Sequence, residues 1–260
     1  RKPEYEVRVR ADQSRLLQGE QAKFHVSARY YYGEPVTNAS VTWTVYRSRS
    51  WPPWFDADED DMSTDSEGDE GDGISYGSET VDEGSGEFDD QGQLTITVPT
   101  VRGKTDFRYG VQVNVTDSAG LEISGAASVT ATRGPFFISV SPVAYVSGKD
   151  RPTRLSVEAR DYDGRPVSGV NFQVAVSEHE WKKPARAAFT SMSGTTGANG
   201  TAEVSFVPPK GGVFRARVTA AAPKGVTLDG NCYVWVEGEE FDLSSEDRIR
   251  IVPDKKNYKA

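Results

Sequence analysis

The chain has 260 residues, one Cys, and 39 Asp plus Glu against 30 Lys plus Arg, for a net charge of -9. No apolar run approaches the ~18 residues of a membrane-spanning helix, a lone Cys builds no disulfide framework, and the composition is not that of a collagen-like fibre. Gly and apolar residues together make roughly 46% of the chain, an ordinary globular share, and the length suits about two domains that each bury a core without metal or disulfide staples.

The charge is concentrated. From Trp51 to Val101 there are 16 acids and no Lys or Arg, so the rest of the chain holds 30 basic against 23 acidic residues and carries +7. The sequence reads as a mildly basic globular body with one acidic insertion at about 48–91. It has no basic arm interleaved with aromatics, which argues against a nucleic-acid partner.

In chain order, Arg1-Lys2-Pro3 reads as a cut within something longer, not as a signal peptide. Tyr5, Val7 and Val9 alternate as a strand, and Leu17 follows shortly before Gly19. Next comes a segment that returns at an offset of 131 residues. Phe24, Val26, Ala28, Gly33, Pro35, Val36, Val41, Trp43 and Val45 fall on Leu155, Val157, Ala159, Gly164, Pro166, Val167, Phe172, Val174 and Val176. Both copies alternate apolar with polar residues, pass through Gly-x-Pro-Val and resume alternation, which is strand, turn, strand. Gly33 and Gly164 supply φ > 0 there, and Pro35 and Pro166 fix φ without offering an N–H.

After the acidic stretch, Gly92 to Pro99 resembles Gly200 to Phe206, and each is followed by another alternating strand (Tyr109, Val111, Val113, Val115; Phe214, Ala216, Val218). Each unit closes on a last strand, Ala127 to Thr132 and Cys232 to Val236, and Arg133-Gly134-Pro135 marks the boundary between them. The second unit opens like the first, with Phe137, Ser139 and Ser141 set against Tyr5, Val7 and Val9. Helix periodicity is nearly absent. The fold class is therefore all-β: two tandem fibronectin/Ig-like antiparallel β-sandwiches at 1–134 and 135–238, with about seven short strands each. Beyond Glu237-Gly238-Glu239-Glu240, residues 247–260 read as the first strand of a third domain, too short to fold alone.

These phrases resemble bacterial alpha-2-macroglobulin family proteins over essentially the whole chain. The match is carried by Ala28 to Ala39 leading into Val41-Thr42-Trp43-Thr44-Val45, by Asp161 to Gly169, by Glu79-Thr80-Val81 leading to Gly92-Gln93-Leu94-Thr95, by Thr132-Arg133-Gly134 and by Pro253 to Tyr258, in the family's order. By position they are the third and fourth macroglobulin-type domains and the opening of the fifth. The resemblance implies a large extracytoplasmic (periplasmic or secreted) protease trap, an endopeptidase inhibitor. In that family cleavage of a bait region rearranges the domains around the protease, and in many members a thioester then bonds to it. Gly19-Glu20-Gln21 lacks the Cys of the family's Cys-Gly-Glu-Gln, so no thioester lies here.

Read for chemistry, the chain offers little. His25 and His179 are the only histidines, both expected on the surface, and no nucleophile pairs with either, so no enzyme and no cofactor are expected. Cys232 is in phase with Val234 and Val236 and reads as a core thiol. Tyr233 and Trp235 fall on the opposite face as interdomain contacts; Trp51, Trp54 and Phe55, beside Pro52-Pro53 and costly to expose, are expected to fold back onto the first domain or an adjacent one, or to meet a partner. Asp56, Asp58, Asp60 and Asp61 resemble the start of a calcium loop, with Glu67 at its twelfth position but Asp61 in place of the sixth-position Gly; a solvated, self-repelling loop is the better reading. Proteases should cut first between about Asp58 and Gly77.

The expected role is thus a non-catalytic structural and interaction segment of the trap. Its partners are neighbouring domains of the same chain, with target proteases only for the intact parent. The alternative from the sequence is a tandem Ig-like spacer of a cell-surface adhesin or of a secreted carbohydrate-active protein.

Overall fold

The computed structural model describes residues 4–50, 77–144, 146–148, 150–180, 184 and 186–237. Among these residues, sixteen strands fall in two sets. The first is β1 (Tyr5–Ala11), β2 (Arg15–Leu17), β3 (Gln21–Tyr30), β4 (Ala39–Ser50), β5 (Glu79–Glu87), β6 (Gln93–Pro99), β7 (Asp106–Asp117) and β8 (Glu122–Thr132). The second is β9 (Phe136–Pro142), β10 (Val146–Ser147), β11 (Thr153–Asp161), β12 (Asn171–Glu178), β13 (Thr190–Thr195), β14 (Thr201–Phe206), β15 (Gly212–Ala221) and β16 (Thr227–Val236). A three-residue 3₁₀ turn, Pro223–Gly225, precedes β16.

The repeat seen in the sequence is a repeat of topology. The first set forms sheets β1-β3-β6 and β2-β8-β7-β4-β5; the second forms β9-β11-β14 and β10-β16-β15-β12-β13, strand for strand the same order. Each pair of sheets closes on its own core, one built on Phe24, Val41, Val45, Tyr109 and Val113, the other on Leu155, Phe172, Val176, Phe214 and Val218. Alternation drives this, because in most strands one face is apolar and the other polar, so pairing with the polar face to water buries the apolar row. The Gly-x-Pro-Val arches coincide: Arg29 bridges Pro35 and Arg160 bridges Pro166, with φ of +103° at Gly33 and +79° at Gly164.

Two expectations shift. Phe136, Ile138 and Val140 face the second core, not Phe137, Ser139 and Ser141. Phe136 lies 131 residues after Tyr5, so the sequence reading was out of register by one residue, and a one-residue slip turns every side chain to the other face. Part of the acidic stretch is also ordered sheet, since Glu79–Glu87 pairs with β4 from Arg47 to Ser40. Its glycines admit a neighbour: a Cβ at Gly84 would overlap the Trp43 ring, which closes the flank of the core. Gly194 does the same under Phe172 in the second sandwich, where a Cβ would lie 2.6 Å from Cζ. The remaining acidic residues, with Trp51, Trp54, Phe55, Asp56, Asp58, Asp60 and Asp61, lie outside the described residues, as does 247–260.

Tyr5 ties the two sheets of the first sandwich together. Its hydroxyl shares its one proton between the carbonyls of Val115 and Leu121, each at 2.9 Å, from a fully buried position. Its repeat counterpart is Phe136, so the second sandwich keeps the ring and omits the bonds. Tyr5→Phe should therefore cost about 1–2 kcal/mol from the lost buried hydrogen bond, which the Leu121 carbonyl partly offsets by keeping the Asp117 N–H, seen as a drop of roughly 2–8 °C in the melting temperature. Burial, then the nearby Asp117 charge, pushes the phenol up to about 12. The fold keeps a proton that the unfolded chain loses above pH ~10, so this contribution is intact below that pH and is lost as pH rises towards 12. The phenylalanine variant should lack that alkaline component in a pH series of denaturant midpoints; an unchanged alkaline limb would contradict the assignment.

Candidate functional site

A buried carboxylate lies where the two sandwiches meet. Asp106, the first residue of β7, is 4% exposed. Its Oδ2 accepts the hydroxyl of Tyr162 at 2.6 Å, from the β11–β12 turn of the second sandwich, and its Oδ1 accepts the Arg133 backbone N–H at 2.7 Å. The Arg133 guanidinium reaches on to the Thr227 carbonyl (2.9 Å) and Asp229 Oδ1 (3.0 Å) at the start of β16. Arg217 holds the other oxygen of Asp229 at 3.0 Å. The result is a continuous run, Tyr162–Asp106–Arg133–Asp229–Arg217, that crosses the boundary twice.

Two outer contacts flank it. Arg15 of β2 donates to Asp163 Oδ1 (2.5 Å) and to the Tyr162 carbonyl (3.2 Å), its guanidinium 6.0 Å from the Tyr162 ring centroid. Lys224 of the 3₁₀ turn meets Glu20 at 2.5 Å. Being part-exposed, these ion pairs set orientation more than they add stability. Phe137, turned outward by the register described above, packs on Tyr162 with ring centroids 4.2 Å apart. Gly134 fits so closely that a Cβ there would be 3.0 Å from Leu228 Cδ1.

The electrostatics follow burial. Desolvation raises the Asp106 carboxyl above its ordinary range, against the opposing hydrogen bonds from Tyr162 and Arg133. Desolvation, then the Asp106 charge, pushes the Tyr162 phenol far above its usual value, so it stays a donor. The exposed partners move the other way, Asp163 lowered by Arg15 and Glu20 by Lys224. The arrangement is a clasp of fixed donors and acceptors. It presents no nucleophile.

The other candidates are placed as follows. His25 is exposed on the outer face of β3, with Nε2 3.4 Å from Asp12 and Nδ1 3.3 Å from Thr95 Oγ1. The order resembles hydroxyl, base and acid, but the three lie on an open sheet face with both contacts long, and a hydrolase needs a placed, enclosed nucleophile. His179 is half-buried, not at the surface, its ring 4.7 Å from that of Tyr233. Tyr233 is 8% exposed and Trp235 half-buried; both lie toward the end of β16 away from Thr227 and Asp229. Cys232 is half-buried on the flank of the second core, not sealed inside it. A shallow concavity of about 610 Å³ over β12, β13 and β15, lined by Asn171, Gln173, Ser193, Thr195 and Thr219, offers amides and hydroxyls without an acid–base pair. Among the described residues no three His, Cys, Asp or Glu side chains are grouped to hold a metal ion, and no helix is long and apolar enough to cross a membrane.

Residues 2–100 match the family description of macroglobulin domain MG3. The alpha-2-macroglobulin of Thermotoga maritima is 26% identical over 219 residues, 84% of this chain and 12% of that protein. The chain is similar to bacterial alpha-2-macroglobulins, and its first sandwich matches a macroglobulin domain. Its fold is like that of trypsin-activated alpha-2-macroglobulin from Escherichia coli, with a TM-score of 0.56 at 16% identity over 98% of this chain and 18% of that one. The native conformation of the E. coli protein matches with a TM-score of 0.51 over the same shares. The chain thus spans about an eighth of the curated relative's length.

Sequence reasoning passed over the clasp. Tyr162 was visible, but only as a turn residue in Asp161-Tyr162-Asp163-Gly164. Its one available signal was an aromatic at the tip of a polar turn, where a side chain of that size is costly to leave in water.

Proposed function

We propose that the chain is a non-catalytic structural and interaction segment of a large alpha-2-macroglobulin-like protease trap that works outside the cytoplasm. In this reading 1–134 and 135–238 are two macroglobulin-type domains and 247–260 opens the next. The observation that carries it is the clasp. A trap that responds to a cut in its bait region must transmit displacement along strings of domains, and a flexible linker would absorb that displacement. Here Arg133-Gly134-Pro135 is clamped from both sides, with a desolvated carboxylate at the centre. The two sandwiches therefore form one stiff arm.

The test uses the full-length protein beside the 260-residue chain, with trypsin as the protease because the E. coli relative is known in a trypsin-activated form. The full-length protein should inhibit trypsin digestion of a protein substrate stoichiometrically, and the 260-residue chain should neither inhibit nor hydrolyse. Inhibition or peptidase activity by the short chain itself would overturn the proposal.

A further inference from the structure

We infer that the Tyr31–Tyr32 loop is the docking surface for a β-sandwich of the same kind on the N-terminal side, which offers a carboxylate to the Tyr31 hydroxyl as Asp106 does to Tyr162. This rests on the proposed reading of the chain as a segment of a domain string and adds to it the contact surface.

The argument begins with the repeat. At the offset of 131, Tyr31 falls on Tyr162, Tyr32 on Asp163 and Glu34 on Arg165. The two loops have the same skeleton: Gly33 N–H to the Tyr30 carbonyl at 2.9 Å matches Gly164 to Asp161 at 3.0 Å, and Tyr30 to Glu34 at 2.9 Å matches Asp161 to Arg165 at 2.9 Å. Even the bracing arginine recurs, Arg29 to the Gly33 carbonyl and Arg160 to that of Gly164. In the second sandwich this loop grips the sandwich before it. In the first the same loop is bare, with Tyr31 67% and Tyr32 71% exposed.

Two further observations point the same way. Tyr32 is held in place by stacking on Tyr30, with ring centroids 5.1 Å apart and planes 8° from parallel, and such pre-ordering lowers the entropy cost of docking. The Tyr31 N–H bonds the Glu4 carbonyl at 3.2 Å, so the backbone arriving at β1 passes directly beside the loop. Paired exposed tyrosines beside the incoming chain suit a neighbour with both apolar area and an acceptor. The exchange of Asp163 for Tyr32 changes one contact: where Arg15 meets a carboxylate, a cation on the preceding sandwich would meet an aromatic face.

Two measurements on the full-length protein decide this. Nitration by tetranitromethane, read by peptide mass spectrometry, should modify Tyr31 and Tyr32 at least ten-fold more slowly in the full-length protein than in the 260-residue chain. A benzophenone amino acid placed at position 31 should cross-link to the ~120 residues immediately before this segment, and the same label at position 162 should mark the peptide containing Asp106. Equal nitration in the two proteins, or a cross-link from position 31 to a downstream region or to a second chain while position 162 marks its own joint, would overturn the inference. Trypsin inhibition separates the two claims: the expected cross-link in a protein that does not inhibit supports the docking surface and removes only the trap reading. An inhibitor with a bare Tyr31 does the reverse.

Discussion

Gly200→Ala should lower the melting temperature of the chain by roughly 6–12 °C, corresponding to about 3 kcal/mol or more, and Gly92→Ala should act as strongly on the first sandwich. Two costs add at each position. The backbone is left-handed, φ +75° at Gly200 and +66° at Gly92, which an L residue adopts at about 1–2 kcal/mol. The site is also crowded by main chain: a Cβ on Gly200 would lie 2.7 Å from the Ala159 carbonyl oxygen and 2.8 Å from Pro166 Cβ, and one on Gly92 2.7 Å from the Ala28 oxygen and 3.0 Å from Pro35 Cβ. That oxygen cannot retreat freely, because it accepts the Val167 N–H at 2.9 Å, or Val36 at 3.1 Å in the first copy, while the glycine's own carbonyl accepts Ala159 or Ala28. The glycine, the arch and the strand are knotted by the same three residues in both copies. Gly33→Ala is the control, since φ is +103° there and nothing lies within 4 Å of the added carbon; it should show only the backbone cost. Equal losses at Gly33 and Gly200 would mean that crowding contributes nothing.

The repeat was legible because both copies use the same local rules at the same spacing: alternation for the strands, and glycine with proline for the arch. Strand phase was less secure. Phe136-Phe137 gives two aromatics in succession, so alternation alone cannot say which faces inward, and only the offset from Tyr5 settles it. Glu79–Glu87 was legible only in part: Ser78 to Val81 and Phe88 carry strand character that could complete the first sandwich, but between them three acids and two glycines read as a solvated run. As an edge strand it needs apolar side chains on neither face when Trp43 lies over Gly84 and supplies the packing from next door. The clasp was not legible by the method that found the domains. Self-comparison rewards positions where the copies agree, whereas a joint between unlike ends sits where they differ. Pairing β7 with β15 through Val111 and Ala216, which face Val45 and Val176, sets Gly211 opposite Asp106.

Asp106→Ala should open that clasp, with trypsin cutting after Arg133 at least ten-fold faster than in the unaltered chain. The substitution strands the Tyr162 hydroxyl and the Arg133 N–H, two part-buried donors whose loss of an acceptor costs about 2–4 kcal/mol together, and it frees the segment that holds Arg133 against Thr227 and Asp229. Tyr162→Phe removes one donor and leaves the carboxylate with the other, so it should speed cutting only a few-fold. If the two act through one contact, adding Tyr162→Phe to Asp106→Ala should change little further. The pH dependence has a definite sign. The Asp106 carboxyl is raised in the fold, so between its unfolded and folded values the native chain binds the extra proton, and stability falls as pH rises through that window. Its ionised form is a cost carried at neutral pH, relieved on acidification. Asp106→Asn cannot titrate and keeps the shape, so the melting temperature of the unaltered chain minus that of the asparagine variant should grow as pH is lowered from 7 to 4. Exposed Glu20 and Asp163, lowered by their partners, weaken on acidification in both proteins and cancel in the difference. A difference that shrinks on acidification would mean that the carboxylate is stabilised at the joint, and that the clasp is held by charge and not by buried hydrogen bonds.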